Sequence, residues 1–486
     1  MVNLKGLEPG DVWKYFDEIR RIPRLSKHEE KIRKYLLAFA TENRLEAFED
    51  NTGNILIIKP ASPGYGNKKS VILQSHMDMV GEKEAGNPHN WDSDPVKIEV
   101  IDGWVRAKGT TLGADDGIGI AAQLAILSNP DLKTGRIEAL FTVDEESGMT
   151  GAININPAFL SSSILLNLDS EDEGILYIGC AGGMDTLIDI KTRQVKVPEG
   201  SAGYEIKING LRGGHSGDEI HKGYGNSIKI MTELLSRISA KFNVCINRFD
   251  GGNIRNAIPR EAHAVIAIPE KLSGKLEQEL KDFEINVKAM FGDLEPDFKI
   301  TFSNINVPEK VMHHEDQQKL LEALAECPHG VIEWSKEMPN LVETSTNLAS
   351  IKYSGDGDIR IVTTQRSSVD SSKHDIAARV KKSFERTGAS VISTDGYPGW
   401  KPDLSSEILN ITLKAYHKIF NTEASVKAIH AGLECGLFYE KNPALDMISF
   451  GPTIRGAHTP GEKIEIASVK KFWDLLLEVL RNIPEN

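Results

Sequence analysis

Two histidines and several carboxylates stand where they could hold metal ions. His76 and Asp78 close the stretch VILQSHMDMV at 71–80, straight after an apolar run. Asp115 and Asp116 lie in GADDGIG at 113–119, and Glu145 and Glu146 lie in DEESG at 144–148. Asp169 lies in NLDSEDEG at 167–174, and His458 in RGAHTPGE at 455–462. Imidazole and carboxylate together suit a borderline divalent ion such as Zn²⁺, Co²⁺ or Mn²⁺. The set is large enough for two ions with one carboxylate bridging. Two metals about 3.5–4 Å apart can clamp a hydroxide and polarise a carbonyl. Adjacent glutamates leaving a strand point different ways, so one can bind metal while the other holds a proton. Asp78, two residues past His76, can orient its imidazole.

Each cluster alone has an ordinary reading. A histidine at a strand end often runs into solvent, and DEES is a common solvated helix start. GADDGIG could be a glycine-rich phosphate loop, but its two aspartates would repel phosphate and the G-x-G-x-x-G spacing is absent. The clusters gain weight by falling together at the ends of neighbouring elements.

The elements that must position them read as α/β at both ends of the chain. Short apolar runs recur at ILII (55–58), VIL (71–73), ALFTV (139–143) and ILLNL (164–168). Asp11 can cap a first helix carrying Val12, Phe16 and Ile19 on one face. Ser26 and Glu29 have the spacing of a capping box before a second, with Ile32, Tyr35, Leu36 and Phe39 on its face. A third carries Ile118, Ala121, Ala122 and Leu124. Apolar strands alternating with helices predict a mostly parallel sheet flanked by helices. In such a sheet, groups just past the carboxyl ends of strands converge on one crevice. That would gather His76, Asp115 or Asp116, Glu145, Glu146 and Asp169, with His458 joining from the C-terminal segment.

After about residue 185 the texture changes. YEIKING, FNVCINRF, HAVIAIP and DFKITF alternate apolar and polar residues between amphipathic helices, and NLASIKY-SGDG-DIRIV reads as a hairpin. GYPGWKPD at 396–403 reads as a linker, after which the first texture returns. The expected architecture is one α/β domain, residues 1–185 and 399–486, interrupted by an inserted α+β domain at 186–398.

Bulk properties agree with a soluble globular chain. Its 486 residues exceed one compact core. The formal net charge of −13 argues against a nucleic-acid partner, because phosphate binding wants a basic footprint. No apolar run reaches membrane-span length, and the N-terminal stretch lacks the apolar core of a signal peptide. Four scattered cysteines without a C-x-x-C pair give neither a disulfide framework nor a thiolate site. A cytoplasmic location is the simplest expectation.

The clusters resemble those of the di-metal (di-zinc) exopeptidase superfamily that includes peptidase T, succinyl-diaminopimelate desuccinylase, aminoacylase and carnosinase. The shared order is H-x-D, G-x-x-D, E-E, a later Asp and a distal His. Within it, TTLGADDGIG, IGCAGG, GLRGGHSGDEIH, RNAIPREA, HAGLECGLF and GPTIRGAHTPGE look like the aminoacyl-histidine dipeptidase (peptidase D, cytosolic Xaa-His dipeptidase) family, with similarity from end to end. The resemblance implies a dipeptidase of broad specificity, Xaa-His and carnosine-like dipeptides included. It implies that His76, Asp115 and Asp169 hold one ion, most simply Zn²⁺, and that Asp115, Glu146 and His458 hold the other. Asp115 is chosen over Asp116 on this ground alone. Glu145 would be the general base acting on a metal-bridging hydroxide, and Asp78 would orient His76. The inserted domain would be a lid and dimerisation domain, with His215 of GGHSG and Asn256 of RNAIP contacting substrate. Arg366 could hold a substrate carboxylate. A homodimer is implied by relatives only. Competing readings are an aminotripeptidase or N-acyl-amino-acid deacylase of the same superfamily and, more remotely, a nucleotide-binding enzyme.

Overall fold

The computed structural model describes residues 4–486. The chain divides into two units. The first comprises the described residues up to Gly179, Pro402–Ala428 and Leu433–Asn486; the second comprises Cys180–Lys401 and Ile429–Gly432.

The first unit is built on eight strands: β1 (Glu46–Glu49), β2 (Ile55–Lys59), β3 (Val71–His76), β4 (Ile137–Thr142), β5 (Ile164–Asn167), β6 (Ile175–Cys180), β7 (Ser425–Ile429) and β8 (Asp446–Ser449). Their order across the sheet is β1-β2-β4-β3-β5-β8-β6-β7. The sheet is parallel at its centre, through β4, β3, β5 and β8. It turns antiparallel where β2 meets β4, β1 meets β2 and β8 meets β6. Every residue of β2, β3, β4 and β5 is buried. Burial on both faces is why these strands read as unbroken apolar runs rather than alternating ones.

The helix Ala114–Ser128 carries Ile118, Ala121, Leu124 and Ala125 into a core shared with Phe16, Ile19 and Phe141. Each fully buried Leu, Ile or Phe there contributes about 1.5–3 kcal/mol. A small sheet of Ile98–Ile101, Trp104–Ala107, Lys463–Glu465 and Ile454–Arg455 completes the unit. Its last two strands pair antiparallel, Ile454 opposite Ile464, and the turn between them carries His458.

The expected capping box does not form. The second helix starts at Glu30, and Glu29 caps it without a side-chain bond. The Ser26 hydroxyl instead donates to Asp78 Oδ2 at 2.7 Å, and Glu29 Oε1 accepts the backbone N–H of Asp144 at 3.0 Å. Longer-range acceptors and donors outcompeted the local pair.

The second unit is a nine-stranded antiparallel sheet with helices Ser227–Phe242, Ser273–Phe291, His314–Glu326 and Asp370–Phe384. The SGDG hairpin joins Val342–Tyr353 to Asp358–Ser367, with Ile351 opposite Ile361. GYPGWKPD is not a free linker. Tyr397 N donates to Gly183 O at 2.8 Å and Trp400 N to Cys180 O at 2.9 Å, with Trp400 buried. Ala181 N donates to both Ile429 O and Ala431 O, which ties residues 429–432 to this unit.

Candidate metal centre and active site

Because β3, β4 and β5 run parallel, their carboxyl ends lie at one edge of the sheet. In register, His76 stands opposite Thr142 and Gln74 opposite Asn167. His76 is the last residue of β3, the two glutamates follow β4, and Asp169 follows β5 by two residues.

The candidate ligand atoms meet around one carboxylate. His76 Nε2 lies 3.0 Å from Asp115 Oδ1 and 3.5 Å from Asp169 Oδ1. His458 Nε2 lies 3.2 Å from Asp115 Oδ2 and 2.8 Å from Glu146 Oε2. Two groups of possible ligands result, His76–Asp115–Asp169 and Asp115–Glu146–His458, each with its atoms within 4.8 Å of one another. Asp115 gives one oxygen to each group. Asp116 turns the other way, buried, with Oδ1 accepting the N–H of Gly119 at 3.1 Å. His458 is the accessible member, its side chain 53% exposed, so the centre opens to solvent on that side.

Asp78 lies between His76 and the paired glutamates. Its Oδ1 lies 3.4 Å from His76 Nδ1 and accepts the N–H of Glu145 at 3.0 Å, while Oδ2 accepts the N–H of Glu146 at 3.1 Å. One buried carboxylate therefore fixes the start of the paired glutamates and stands beside the imidazole, whose Nδ1 has no hydrogen-bond partner. Burial works against its charge, but His76, Ser26 and the Glu145 N–H outweigh that and pull it down to about 2. The carboxyl of Glu145 belongs to neither ligand group.

The charge balance fits bound cations. Burial, with Asp115 close by, pushes Asp169 up to about 7. Burial and the neighbouring carboxylates Asp169, Glu146 and Glu434 push Glu145 well above the usual range. Hydrogen bonds to Asp115 and Glu146 push His458 up to about 11. Carboxylates crowded into a buried edge this way repel one another, and divalent cations reverse that repulsion. Two histidines with three carboxylates are a suitable donor set for borderline divalent ions.

Three residues that support the centre escaped the sequence reading. Arg24, buried, donates through Nη1 to Met77 O at 2.8 Å and through Nη2 to Gly113 O at 2.5 Å, bracing two ligand-bearing turns. Gly113 has φ +70, and a Cβ there would stand 2.7 Å from Arg24 Nη2. Glu462 accepts the N–H groups of Leu112, Gly113 and Ala114 at 2.6, 2.9 and 2.8 Å. Glu434, also buried, bonds Gln74 and Thr142 beneath the ligands. Glu462 lies in GPTIRGAHTPGE and Glu434 in HAGLECGLF, both motifs of the family resemblance, and a glutamine within VILQS was a visible anomaly. Arg24 gave no signal.

In the second unit, His215 and Asn256 line one pocket of about 550 Å³. Their segments are tied by Ser216 N donating to Asn256 O at 2.8 Å, and His215 Nδ1 lies 3.1 Å from Asp218 Oδ2. Arg366 is buried. Its Nη1 donates to Tyr397 OH at 3.2 Å, and its Nε has no hydrogen-bond partner.

The profile of peptidase family M20/M25/M40 matches residues 72–482. The chain belongs to this family. It is 37% identical to the cytosol non-specific dipeptidase of Escherichia coli (strain K12) across the full length of both chains. The crystal structure of aminoacylhistidine dipeptidase from Vibrio alginolyticus superposes with a TM-score of 0.94 at 40% identity, covering 100% of this chain and 99% of that one. Aminopeptidase PepT from Bacillus cereus shares the fold, with a TM-score of 0.60 at 18% identity over 98% of this chain and 99% of that one. No helix among the described residues is long and apolar enough to cross a membrane.

Proposed function

We propose that the chain is a metal-dependent dipeptidase of broad specificity that accepts Xaa-His dipeptides, with two divalent ions, most simply Zn²⁺, held by His76, Asp115 and Asp169 and by Asp115, Glu146 and His458. The observation that carries this reading is the Asp115 carboxylate standing between His76 and His458 at 3.0 and 3.2 Å, each with a further carboxylate beside it. The relatives' names, a non-specific dipeptidase and an aminoacylhistidine dipeptidase, support the substrate class.

When bound, such ions supply Lewis acidity toward a scissile carbonyl and lower the pKa of water. Glu145 is the general base: its carboxylate takes a proton from the attacking water and passes it to the departing amine. Asp78 holds His76 through Nδ1 and holds the Glu145 backbone in place. His215 and Asn256 are substrate contacts, and the second unit serves as a lid. The E. coli relative's name supports a cytoplasmic location. A homodimer is testable by sedimentation.

The test is hydrolysis of a panel of dipeptides, tripeptides and N-acyl amino acids, with metal content measured on the same sample. Two ions per chain, chelator-sensitive cleavage and a preference for dipeptides are expected. Faster turnover of tripeptides or N-acyl substrates would move the chain to another activity of the family. Full activity after chelation would sink the metal reading.

A further inference from the structure

One row of side chains below the ligands, four polar groups are buried together. Gln74 is two residues before His76 on β3, and Asn167 is two residues before Asp169 at the end of β5. Residues two apart on a strand share a face, so Gln74 lies directly beneath His76, while Asn167 closes β5 beside it, opposite Gln74 in register. Thr142 ends β4, opposite His76 in register and three residues before Glu145. The fourth member comes from outside the sheet: Glu434, first residue of the helix Glu434–Lys441.

These four form one connected network. Asn167 Nδ2 donates to Gln74 Oε1 at 2.6 Å. Gln74 Nε2 donates to Glu434 Oε2 at 2.7 Å and to Thr142 Oγ1 at 3.3 Å. The Thr142 hydroxyl donates to the same Glu434 Oε2 at 2.7 Å. All four are buried. Glu434 Oε1 and Asn167 Oδ1 have no hydrogen-bond partner. The face of a buried sheet is ordinarily apolar, and leaving polar atoms unsatisfied there is unfavourable. Polar groups retained against that penalty, one step from a site, point to function.

We propose that Glu434 is a positioning residue for the metal centre: one oxygen of its carboxylate latches the strands that deliver His76, the Glu145–Glu146 pair and Asp169, fixing the height at which the three present their side chains. This rests on the reading that the centre binds divalent ions. The latch acts through Gln74 and Thr142 and touches neither metal nor substrate. Its requirement is an acceptor at Oε2, not a negative charge.

The experiment measures divalent-ion dissociation constants of the metal-depleted full chain by competition with a chromophoric chelator, using Zn²⁺ as the probe, beside kcat, KM and the thermal unfolding midpoint. Glu434→Met removes the acceptor and is expected to weaken binding by about 10–100-fold. In that variant kcat falls, KM stays within about twofold, and the unfolding midpoint of the metal-free chain falls, because Gln74 Nε2 and Thr142 Oγ1 lose their buried acceptor. Glu434→Gln keeps an oxygen acceptor and should restore binding to within about threefold of the parent. Thr142→Val removes one donor without changing volume and should weaken binding less than Glu434→Met. The two substitutions should be non-additive.

Unchanged affinity in Glu434→Met overturns the proposal. Equal weakening in the Met and Gln variants overturns the acceptor role in favour of charge. If Glu434→Met does not fold, Thr142→Val decides, and parental affinity there overturns it. A parent chain that binds no Zn²⁺ overturns the metal reading itself, and this inference with it.

Discussion

The Glu462 carboxylate accepts the backbone N–H of Asp115 at 3.3 Å, across 347 residues of sequence. Together with the three N–H groups before it, this contact fastens the turn carrying His458 to the turn carrying Asp115. Those two residues are the shared and the distal members of the second ligand group. Glu462→Ala would leave four backbone donors without their acceptor, three of them with their residues' bonds buried. We expect a loss of about 3 kcal/mol in stability and weaker binding of divalent ions, because Asp115 belongs to both candidate ligand groups. Denaturant titration with and without metal checks this; unchanged stability would mean that water replaces the carboxylate without penalty.

Glu145→Gln should keep both metal groups and lose turnover. The Glu145 carboxyl is in neither group, and its N–H still reaches Asp78. A fall in kcat of about 10²–10⁴ is expected for loss of a general base. Metal content near parental with turnover lost is the expected pair of readings; metal loss would make Glu145 a ligand.

His430 predicts a pH dependence of stability in the second unit. It is buried, its Nε2 is 2.7 Å from Ser345 Oγ, and its Nδ1 has no partner. Burial, with Arg366 nearby and only partly offset by Asp218, lowers it to about 3. Unfolded, it titrates near 6.5. Between those values the unfolded chain takes up a proton that the folded chain does not, so stability falls as pH falls below about 6.5. The slope is about 1.4 kcal/mol per pH unit for one such group. Urea midpoints of the parent and His430→Asn between pH 7 and 5 should diverge by that slope, the parent losing more stability as pH falls.

Arg366 presents a buried guanidinium with an unpartnered Nε. Arg366→Met should raise KM by about tenfold or more, the scale of a lost charge-assisted hydrogen bond, with a smaller effect on kcat. A kcat effect larger than the KM effect would place the residue in the reaction rather than in holding a substrate carboxylate.

The sequence shows the ends of the machine better than its bracing. His76, the Asp115–Asp116 pair, Glu145, Glu146, Asp169 and His458 stood out because polar clusters followed apolar runs, and a strand has to end where its side chains turn hydrophilic. The choice between Asp115 and Asp116 was not visible. It depends on which side of one backbone turn faces the histidines, and two adjacent identical residues carry no pattern. The parallel centre of the sheet followed from fully buried strands. The antiparallel edges did not, because strand direction leaves no mark on a strand's own composition. Ser26 and Glu29 had the spacing of a local cap but found partners at Asp78 and Asp144, and only tertiary structure creates that competition. Arg24, Glu434 and Glu462 act on residues tens to hundreds of positions away, so a sliding window cannot find them.

The position of β8 sets an order of assembly. This strand, Asp446–Ser449, sits between β5 and β6, both of which end by Cys180, where the second unit begins. At roughly 5–20 residues per second of synthesis, the open edge of β5 waits on the ribosome for tens of seconds before its neighbour exists. His458 emerges later still. A nascent chain can therefore gather His76, Asp115 and Asp169 early, but its sheet stays unfinished, and its second ligand group lacks a histidine, until the last stretch of the chain is made.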